Sequence, residues 1–378
     1  MSILTHIWTI TAHILPFLFV LSLLVFFHEL GHFFIGRWFG VKVDVFSLGF
    51  GPEIFGFDDR HGTHWRLAAM PLGGYVKFHG DVNCAMAGKS AVAAMSPQER
   101  AVSFCAQKVW KRAAIVAAGP IANFILAVVI FTGIFYVNGR AILLPIVDSV
   151  EVGSAAEAAG VQPDDLIVWI DGIKVDSVEE MQRIMQTASD TQLAITVNRG
   201  GQLMELVATP HRRDLVTAFG TTRVGVLGAV AKDKPENWNV RHFDFVDSLR
   251  LAGSETWYFI ARSGGYLIDL VTGTEPADHL SGPIRMAEVS GAMAKLGLGA
   301  LLNLAAILSI SVGLLNFFPI PLLDGGHLLF YAAEAIRGKA MNEKAEQFSI
   351  NIGFTLVTTL MFFVTYNDVV RLTRQWMR

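Results

Sequence analysis

The chain has 378 residues, of which 52% are hydrophobic and only 17% are charged. This composition is too apolar for an average soluble domain and predicts a membrane protein with several spans. The net charge is −3, and no basic block with interleaved aromatic residues occurs, so we expect no nucleic-acid partner. Two cysteines, Cys84 and Cys105, lie in one loop without a CxxC spacing, and we expect free thiols in a reducing compartment.

Four stretches without Asp, Glu, Lys or Arg cover residues 1–27, 113–138, 296–323 and 349–367. Each is long enough to cross a hydrocarbon core of about 30 Å, which takes roughly 20 apolar residues. The sequence therefore predicts a multi-span α-helical membrane protein with four transmembrane helices, in segments 1–38, 113–138, 296–326 and 349–367. The first stretch lacks a basic n-region and a small-residue cleavage site, so we interpret it as a retained span.

The basic residues predict the orientation of these spans, because short cytoplasmic loops are enriched in lysine and arginine. Such residues flank the first two spans on the side of loop 39–112. This loop is therefore expected in the cytoplasm, and the segment between the second and third spans in the periplasm of a bacterial inner membrane. Arg371, Arg374 and Arg378 go against the rule after four spans, so we expect the tail along the membrane surface.

Loop 39–112 contains two short extended runs within 65–78, on either side of a Pro-Leu-Gly-Gly turn signal at 71–74. We predict a membrane-associated β-hairpin here, with an ordinary surface hairpin as the alternative. Residues 98–112, preceded by Pro97, are predicted to form an interfacial helix that leads into the second span.

Residues 140–232 have the composition of a soluble α+β domain. Strands are predicted at 142–147, 166–170, 193–197 and 203–208, and a capping box of Ser177 and Glu180 predicts a helix. Segment 153–161, followed by Asp165 and the Asp171-Gly172 turn, resembles the bacterial PDZ pattern. PDZ domains bind extended peptides, here peptide C-termini, by strand addition. A plain spacer domain is the alternative, and segment 233–295 is predicted to form periplasmic amphipathic helices.

Residues 28–32 form an HExxH motif. On a helix, positions four apart share a face, so His28 and His32 can bind one zinc ion while Glu29 lies beside it as a base. The motif follows an uncharged apolar run, which places ionisable groups at membrane depth, where each costs about 3 kcal/mol and is usually paired or functional. The alternative is three polar residues that end the helix at the membrane surface.

A catalytic zinc usually has three protein ligands, so the two histidines need a partner. Asp324 is the best candidate, because Pro319 and Pro321 should break the third span before it and paired glycines after it allow a tight turn. Irregular backbone at membrane depth is tolerated where it lines a cavity. Odd-numbered spans run in the same direction, so the downstream ends of spans one and three meet on one face. The alternative is a carboxylate in a helix-ending turn.

Six motifs occur in a characteristic order: HExxH at 28–32, Met-Pro-Leu-Gly-Gly-Tyr-Val-Lys at 70–77, Gly-Pro-Ile-Ala-Asn-Phe at 119–124, the PDZ-like segment, Ser-Gly-Pro at 281–283, and Asn-x-x-Pro-x-Pro-x-Leu-Asp-Gly-Gly at 316–326. Together they resemble the site-2 protease family of zinc intramembrane metalloproteases, in its regulator of sigma-E protease branch, over nearly the whole chain. The best-known members of this branch carry two tandem PDZ domains, whereas we find one here, as in shorter bacterial homologues.

This resemblance implies a site with one zinc ion per chain, held by His28, His32 and Asp324, and Glu29 as general base and then proton donor. It also implies four substrate-binding residues: Asn316, Gly73, Gly74 and Tyr75. The last three belong to a re-entrant β element that would hold the substrate extended, which exposes peptide bonds that a helix hides.

The implied function is intramembrane proteolysis of single-span proteins in the lipid bilayer, namely anti-sigma factors already cut on the periplasmic side and leftover signal peptides. A second hypothesis is a membrane-anchored PDZ scaffold whose zinc site is structural or lost. The intact Glu29 argues against it, because a structural site needs no base. A third hypothesis is a transporter with the broken third span as its binding site, for which we find no inverted repeat.

Overall fold

The structure is a computed structural model of the chain, and it describes residues 3–80, 95–217, 220–272, 282–339 and 343–376. The chain divides into two compact units, one formed by Met1–Gly133 with Asp247–Arg378 and the other by Ile134–Val246.

The secondary-structure elements follow in three groups. The first group is α1 (Ile3–Trp38), β1 (Val43–Asp58), β2 (His64–Phe78), α2 (Pro97–Val102) and α3 (Val109–Asn138). The second group is β3 (Arg140–Leu143), β4 (Val147–Val150), α4 (Ala155–Ala159), β5 (Leu166–Ile170), β6 (Ile173–Lys174), α5 (Val178–Thr187), β7 (Leu193–Arg199), β8 (Gln202–Ala208), β9 (His211–Thr217), β10 (Gly220–Val226), β11 (Ala229–Ala231) and β12 (Trp238–Arg241). The third group is α6 (Phe245–Thr272), α7 (Pro283–Leu296), α8 (Leu298–Phe317), α9 (Asp324–Arg337) and α10 (Glu343–Trp376).

Four helices in the described ranges are long and apolar enough to cross a membrane, as predicted. Their apolar spans are Thr11–Trp38 in α1, Val109–Asn138 in α3, Leu298–Phe317 in α8 and Gln347–Arg371 in α10. Helix α6 is not among them, because charged residues interrupt its apolar surface. The protein is therefore a membrane protein with four candidate transmembrane helices and additional β-structure.

Small residues let three of these helices pack closely, which is typical of helix interfaces in membranes. A Cβ at Gly31 of α1 would overlap the backbone of Ala118 in α3. A Cβ at Gly313 of α8 would lie 3.0 Å from the backbone oxygen of Pro120 in α3. Helix α3 therefore lies against both α1 and α8.

Helix α7 is connected to α10 by a buried carboxylate. Asp368 of α10 accepts hydrogen bonds from the backbone N–H groups of Gly282, Ile284 and Arg285, at 3.3, 3.1 and 3.1 Å. These groups begin α7 and have no intrahelical acceptors, so Asp368 acts as a cap supplied by another helix. Arg371 adds an ion pair of 2.6 Å to a glutamate of α7.

Strands β1 and β2 form an antiparallel pair with an irregular register. Residues 43–48 of β1 pair with 74–78 of β2, and residues 53–58 of β1 pair with 64–68 of β2. Phe33 of α1 packs with Phe46 and Phe78 in a buried cluster below this sheet. The sheet is thereby attached to the helix that carries the HExxH motif.

The loop between β1 and β2 is held by Asp59. Its carboxylate accepts hydrogen bonds from the backbone of His61 and Thr63, from the indole of Trp65 and from Arg37 at the end of α1. Burial raises the pKa of Asp59, but the hydrogen bonds from Thr63, Trp65, His61 and Arg37 outweigh it and hold the pKa at about 2. The loop and α1 are thus joined through one charged group.

Two predictions for this region were only partly right. The segments on either side of Pro71–Gly74 do not pair with each other, because both belong to β2 and their partner is β1. The predicted interfacial helix at 98–112 is divided: α2 ends at Val102, and α3 begins at Val109. The expectation of free thiols was wrong for Cys105, which is disulfide-bonded, while Cys84 lies outside the described residues.

The second unit is an α+β domain around the four-stranded sheet β6-β5-β7-β8. The predicted strands at 166–170, 193–197 and 203–208 are confirmed, and Ser177 caps α5 by accepting from the N–H of Glu180. The single strand predicted at 142–147 was wrong, because β3 ends at Leu143 and β4 begins at Val147. Strand β12 pairs with β3, so the domain extends beyond residue 232, and the start of segment 233–295 contains a strand where amphipathic helices were predicted. Asp165 is fully buried and accepts two hydrogen bonds from Arg199, at 2.8 and 2.7 Å.

Candidate metal centre

The two histidines of the HExxH motif lie on one face of α1, one turn apart. Their imidazole rings meet edge to face with centroids 4.8 Å apart, and their Nε2 atoms are separated by 3.3 Å. His32 is buried, and His28 is largely so. Two ring nitrogens therefore point into one small space beside the candidate transmembrane helix α1.

Asp324 reaches the same space from α9. Helix α8 ends at Phe317, the chain runs irregularly through Pro319 and Pro321, and Asp324 is the first residue of the next helix. Its Oδ2 lies 3.1 Å from Nε2 of His28 and 3.6 Å from Nε2 of His32. The predicted break in the third span is confirmed, whereas α9 was not predicted.

The backbone on both sides of Asp324 has an unusual conformation or unusually close contacts. A Cβ at Gly325 would overlap the carbonyl oxygens of residues 317 and 318, and one at Gly326 would overlap that of Ile320. Leu322 adopts φ 120°, which costs a branched residue roughly 1–3 kcal/mol and persists only where the surroundings enforce it. The paired glycines therefore allow α9 to start directly against the end of α8.

The spacing of the three ligand atoms fits zinc. With four tetrahedral ligands about 2.0–2.1 Å from the metal, neighbouring ligand atoms lie roughly 3.3–3.4 Å apart. The observed separations among His28, His32 and Asp324 are 3.1, 3.3 and 3.6 Å. In addition, Oδ2 of Asp324 is buried and makes no hydrogen bond to any described residue. Three electron-pair donors therefore converge here, and one of them is a buried carboxylate oxygen without a hydrogen bond. Such a group is suited to bind a cation.

Helix α3 supports the two imidazoles from behind. Nδ1 of His32 lies 2.9 Å from the backbone oxygen of Ile115, and Nδ1 of His28 lies 3.2 Å from the side-chain amide of Asn123. Between these residues, a Cβ at Gly119 would overlap the ring of His32 and lie 3.0 Å from Cε1 of His28. Only glycine at this position leaves room for both rings beside α3.

Helix α9 is fixed to the same helix at its other end. Arg112 in the first turn of α3 donates a 2.9 Å hydrogen bond to Glu334 of α9, and both side chains are largely buried. Its guanidinium also lies over the ring of Tyr331, 4.9 Å from the centroid. These contacts restrain the helix that begins with Asp324.

Glu29 lies between the imidazoles and strand β2. It is half-buried, and its carboxylate accepts a hydrogen bond from the backbone of Val76. A Cβ at Gly74 would lie 3.3 Å from Cγ of Glu29 and would press on the backbone oxygen of Ser47 at 2.7 Å. The close approach of β2 to Glu29 therefore requires glycine at position 74.

The family model for peptidase family M50 matches residues 16–360. This chain belongs to peptidase family M50.

Relatives of this M50 peptidase match it over almost their whole length. A protein of Agrobacterium fabrum that is named a zinc metalloprotease is 46% identical over 95% of this chain and 96% of its own. A protein of Rhizobium meliloti with the same kind of name is 42% identical over 93% and 95%. Metalloprotease MmpA of Caulobacter vibrioides is 34% identical over 94% of both chains. The chain is thus a zinc metalloprotease with membrane-spanning character.

The structure of this M50 peptidase brings His28, His32 and Asp324 together as the only such group of metal-binding side chains among the described residues. Of the predicted substrate residues, Gly74 lies against Glu29, Tyr75 stacks on Phe50 at 6.1 Å, and Gly73 lies beside the same ring. Asn316 is half-buried in the last turn of α8.

Three contributors to the site were not predicted, namely Asn123, Gly119 and the backbone oxygen of Ile115. The Gly-Pro-Ile-Ala-Asn-Phe motif contained two of them without indicating their role. A polar residue within an otherwise apolar span was the available signal for Asn123.

Proposed function

We propose that this M50 peptidase hydrolyses peptide bonds within the membrane-spanning segments of single-span proteins. The observation that carries this proposal is the position of the candidate centre within an apolar helix. His28, Glu29 and His32 lie inside the apolar span Thr11–Trp38, and Asp324 follows the apolar helix α8 after a short break. A substrate would have to enter the membrane-spanning part of the protein to reach them.

In the proposed site His28, His32 and Asp324 hold one zinc ion per chain. Zinc in such a site lowers the pKa of a water molecule and polarises a carbonyl group. Three protein ligands are the number that catalytic zinc sites use, which would leave one position for water or substrate. The carboxylate of Asp324 also brings a negative charge to the site, which suits a divalent cation.

Glu29 is the proposed general base and acid. Its carboxylate would take the proton of the attacking water and then deliver it to the amine that leaves. The hydrogen bond from the backbone of Val76 fixes the carboxylate without neutralising it. Strand β2 would therefore position the base directly.

Strand β2 is also the proposed guide for the substrate. A helical segment hides its peptide bonds in hydrogen bonds, so cleavage requires an extended stretch. Gly73, Gly74 and Tyr75 lie in β2 next to Glu29, where a strand edge could pair with such a stretch, and Asn316 would contact the substrate backbone. Exposed apolar side chains of the same sheet, such as Phe55 and Leu72, support its contact with lipid.

We place the protein in the bacterial inner membrane, with the unit Ile134–Val246 in the periplasm as a PDZ domain that binds peptide C-termini. The four-stranded sheet with α4 and α5 supports such a domain. The candidate substrates are anti-sigma factors already cut on the periplasmic side and remnant signal peptides, in a regulated intramembrane proteolysis pathway. The alternative of a non-catalytic PDZ scaffold is disfavoured by membership of a peptidase family.

The decisive variant is Glu29→Gln, with Glu205→Gln on the exposed face of β8 as a matched control. In membranes with a single-span test substrate, we expect Glu29→Gln to bind zinc like the parent and to leave the substrate intact. Glu205→Gln should cleave like the parent. Equal cleavage by Glu29→Gln and the parent would refute the proposal, and substrates accumulated in membranes of the Glu29→Gln strain would identify natural targets.

A further inference from the structure

Asn123 is a fully buried carboxamide in the apolar helix α3. One end of this amide lies 3.2 Å from Nδ1 of His28. The other end, Oδ1, is buried and makes no hydrogen bond within the described part of the chain. A polar side chain in such surroundings is usually hydrogen-bonded at both ends, so its orientation beside His28 requires an explanation.

The zinc site proposed above determines which nitrogen of His28 carries a proton. Nε2 of His28 faces Asp324 at 3.1 Å and His32 at 3.3 Å, so Nε2 is the atom that offers its lone pair to the metal. A neutral imidazole has one N–H, which must then be at Nδ1. The partner of Nδ1 must therefore be an acceptor.

Rotation of the carboxamide by half a turn exchanges its oxygen and nitrogen without moving the rest of the side chain. In that orientation Oδ1 accepts the Nδ1–H of His28 at the observed distance of 3.2 Å. The neighbouring ring shows the same arrangement, because Nδ1 of His32 lies 2.9 Å from the backbone oxygen of Ile115, which can only accept.

We propose that Asn123 is a positioning residue whose Oδ1 accepts the Nδ1–H of His28 and thereby leaves Nε2 free to bind zinc. The inference rests on the zinc site proposed above. Partners of this kind orient metal-binding histidines, and their loss typically weakens metal binding by about 10–100-fold. Asn123 does this for one histidine, as the helix backbone does for the other.

A role in helix packing alone can be separated from this one. Ser309 of α8 donates a 2.8 Å hydrogen bond to the backbone oxygen of Asn123, not to its side chain. Substitution of the Asn123 side chain leaves that contact available, whereas Ser309→Ala removes it and leaves the amide in place. The two variants therefore test the contact to His28 and the contact between helices independently.

The experiment compares full-length protein in detergent with four variants: Asn123→Ala, Asn123→Asp, Ser309→Ala and His28→Ala. Zinc affinity is measured by competition with a chelator, and the coordination geometry by the visible absorption of the Co²⁺-substituted protein. We expect Asn123→Ala to bind zinc about 10–100-fold more weakly and to shift the Co²⁺ bands. Asn123→Asp retains an acceptor and should stay within a few-fold of the parent, as should Ser309→Ala.

Parent-like zinc affinity and Co²⁺ bands in Asn123→Ala would overturn the inference. Equal losses in Asn123→Ala and Asn123→Asp, or in Asn123→Ala and Ser309→Ala, would also overturn it, because neither pattern follows from a lost acceptor. If Asn123→Ala does not fold, Asn123→Leu replaces it as an apolar side chain of similar size. Parent-like zinc affinity in His28→Ala would instead refute the proposed ligand set, so the two failures are distinguishable.

Discussion

Gly119→Ala adds a single methyl group beside both histidines of the metal centre. The new methyl group would overlap the ring of His32 and lie 3.0 Å from Cε1 of His28, where 3.4–4 Å is an ordinary contact. A shift of α3 is opposed by its packing against α8, where Gly313 lies close to the backbone of Pro120. The rings must therefore move, by about 1 Å for His32, which is enough to cost about 100-fold in rate where geometry is critical.

The same substitution should stabilise an ordinary helix by about 1 kcal/mol, because alanine has the higher helix propensity. A loss of function in Gly119→Ala therefore cannot be attributed to a weaker helix. Gly133→Ala in the same helix is the matched control, since a Cβ at position 133 meets no atom within 4 Å. Its zinc content and activity should equal those of the parent.

We would measure zinc per chain after purification in detergent and cleavage of a single-span substrate in vesicles. We expect Gly119→Ala to lose zinc under chelator concentrations that leave Gly133→Ala loaded, and to cleave at least about 100-fold more slowly. A Gly119→Ala protein that keeps both zinc and full activity would refute the packing of the imidazoles against α3.

Three further predictions concern stability. Asp59→Asn should destabilise the β1–β2 loop by about 2 kcal/mol at neutral pH, as measured by hydrogen exchange of the loop amides. Because the folded-state pKa of Asp59 is lowered to about 2, the difference between the two proteins should disappear as the pH falls from about 4 to 2. Arg199→Met leaves the buried Asp165 unpaired and should destabilise the second unit by about 3 kcal/mol in denaturant titration, whereas Arg212→Met, at an exposed ion pair, should cost below about 1 kcal/mol. Asp368→Ala should speed hydrogen exchange in the first turn of α7 by removing a cap worth about 1–2 kcal/mol, and unchanged exchange would contradict that role.

The metal-binding side chains could be predicted from the sequence because helical periodicity and the direction of the spans determine their relative positions. His28 and His32 are one turn apart, and the parity of spans one and three brings Asp324 to the same face. Both arguments use only local geometry and the direction of the chain through a bilayer. The strands of the second unit were predictable for the same reason, since their alternation and turns are local.

Pairing between segments that are distant in the sequence could not be predicted from local sequence patterns. The segment before His64 has glycine, proline and clustered aromatic residues, so it does not alternate like a strand, and β1 was missed as the partner of β2. Helix α9 was missed because its glycines and the preceding prolines indicate a turn, and only contacts with the end of α8 show that a helix begins there. Asn123 was missed because nothing in the sequence places it beside His28.

Helix α3 supplies none of the three metal-binding side chains, yet its positions determine the geometry of all of them. Arg112, Ile115, Gly119 and Asn123 are three or four residues apart and therefore share one face. Arg112 contacts α9, and the backbone oxygen of Ile115 contacts the ring of His32. Gly119 lies against both imidazole rings, and Asn123 contacts the ring of His28. A substitution on the opposite, exposed face, such as Ile125→Ala, should leave zinc affinity unchanged. If both faces proved equally sensitive, α3 would support the site through general stability and not through these contacts.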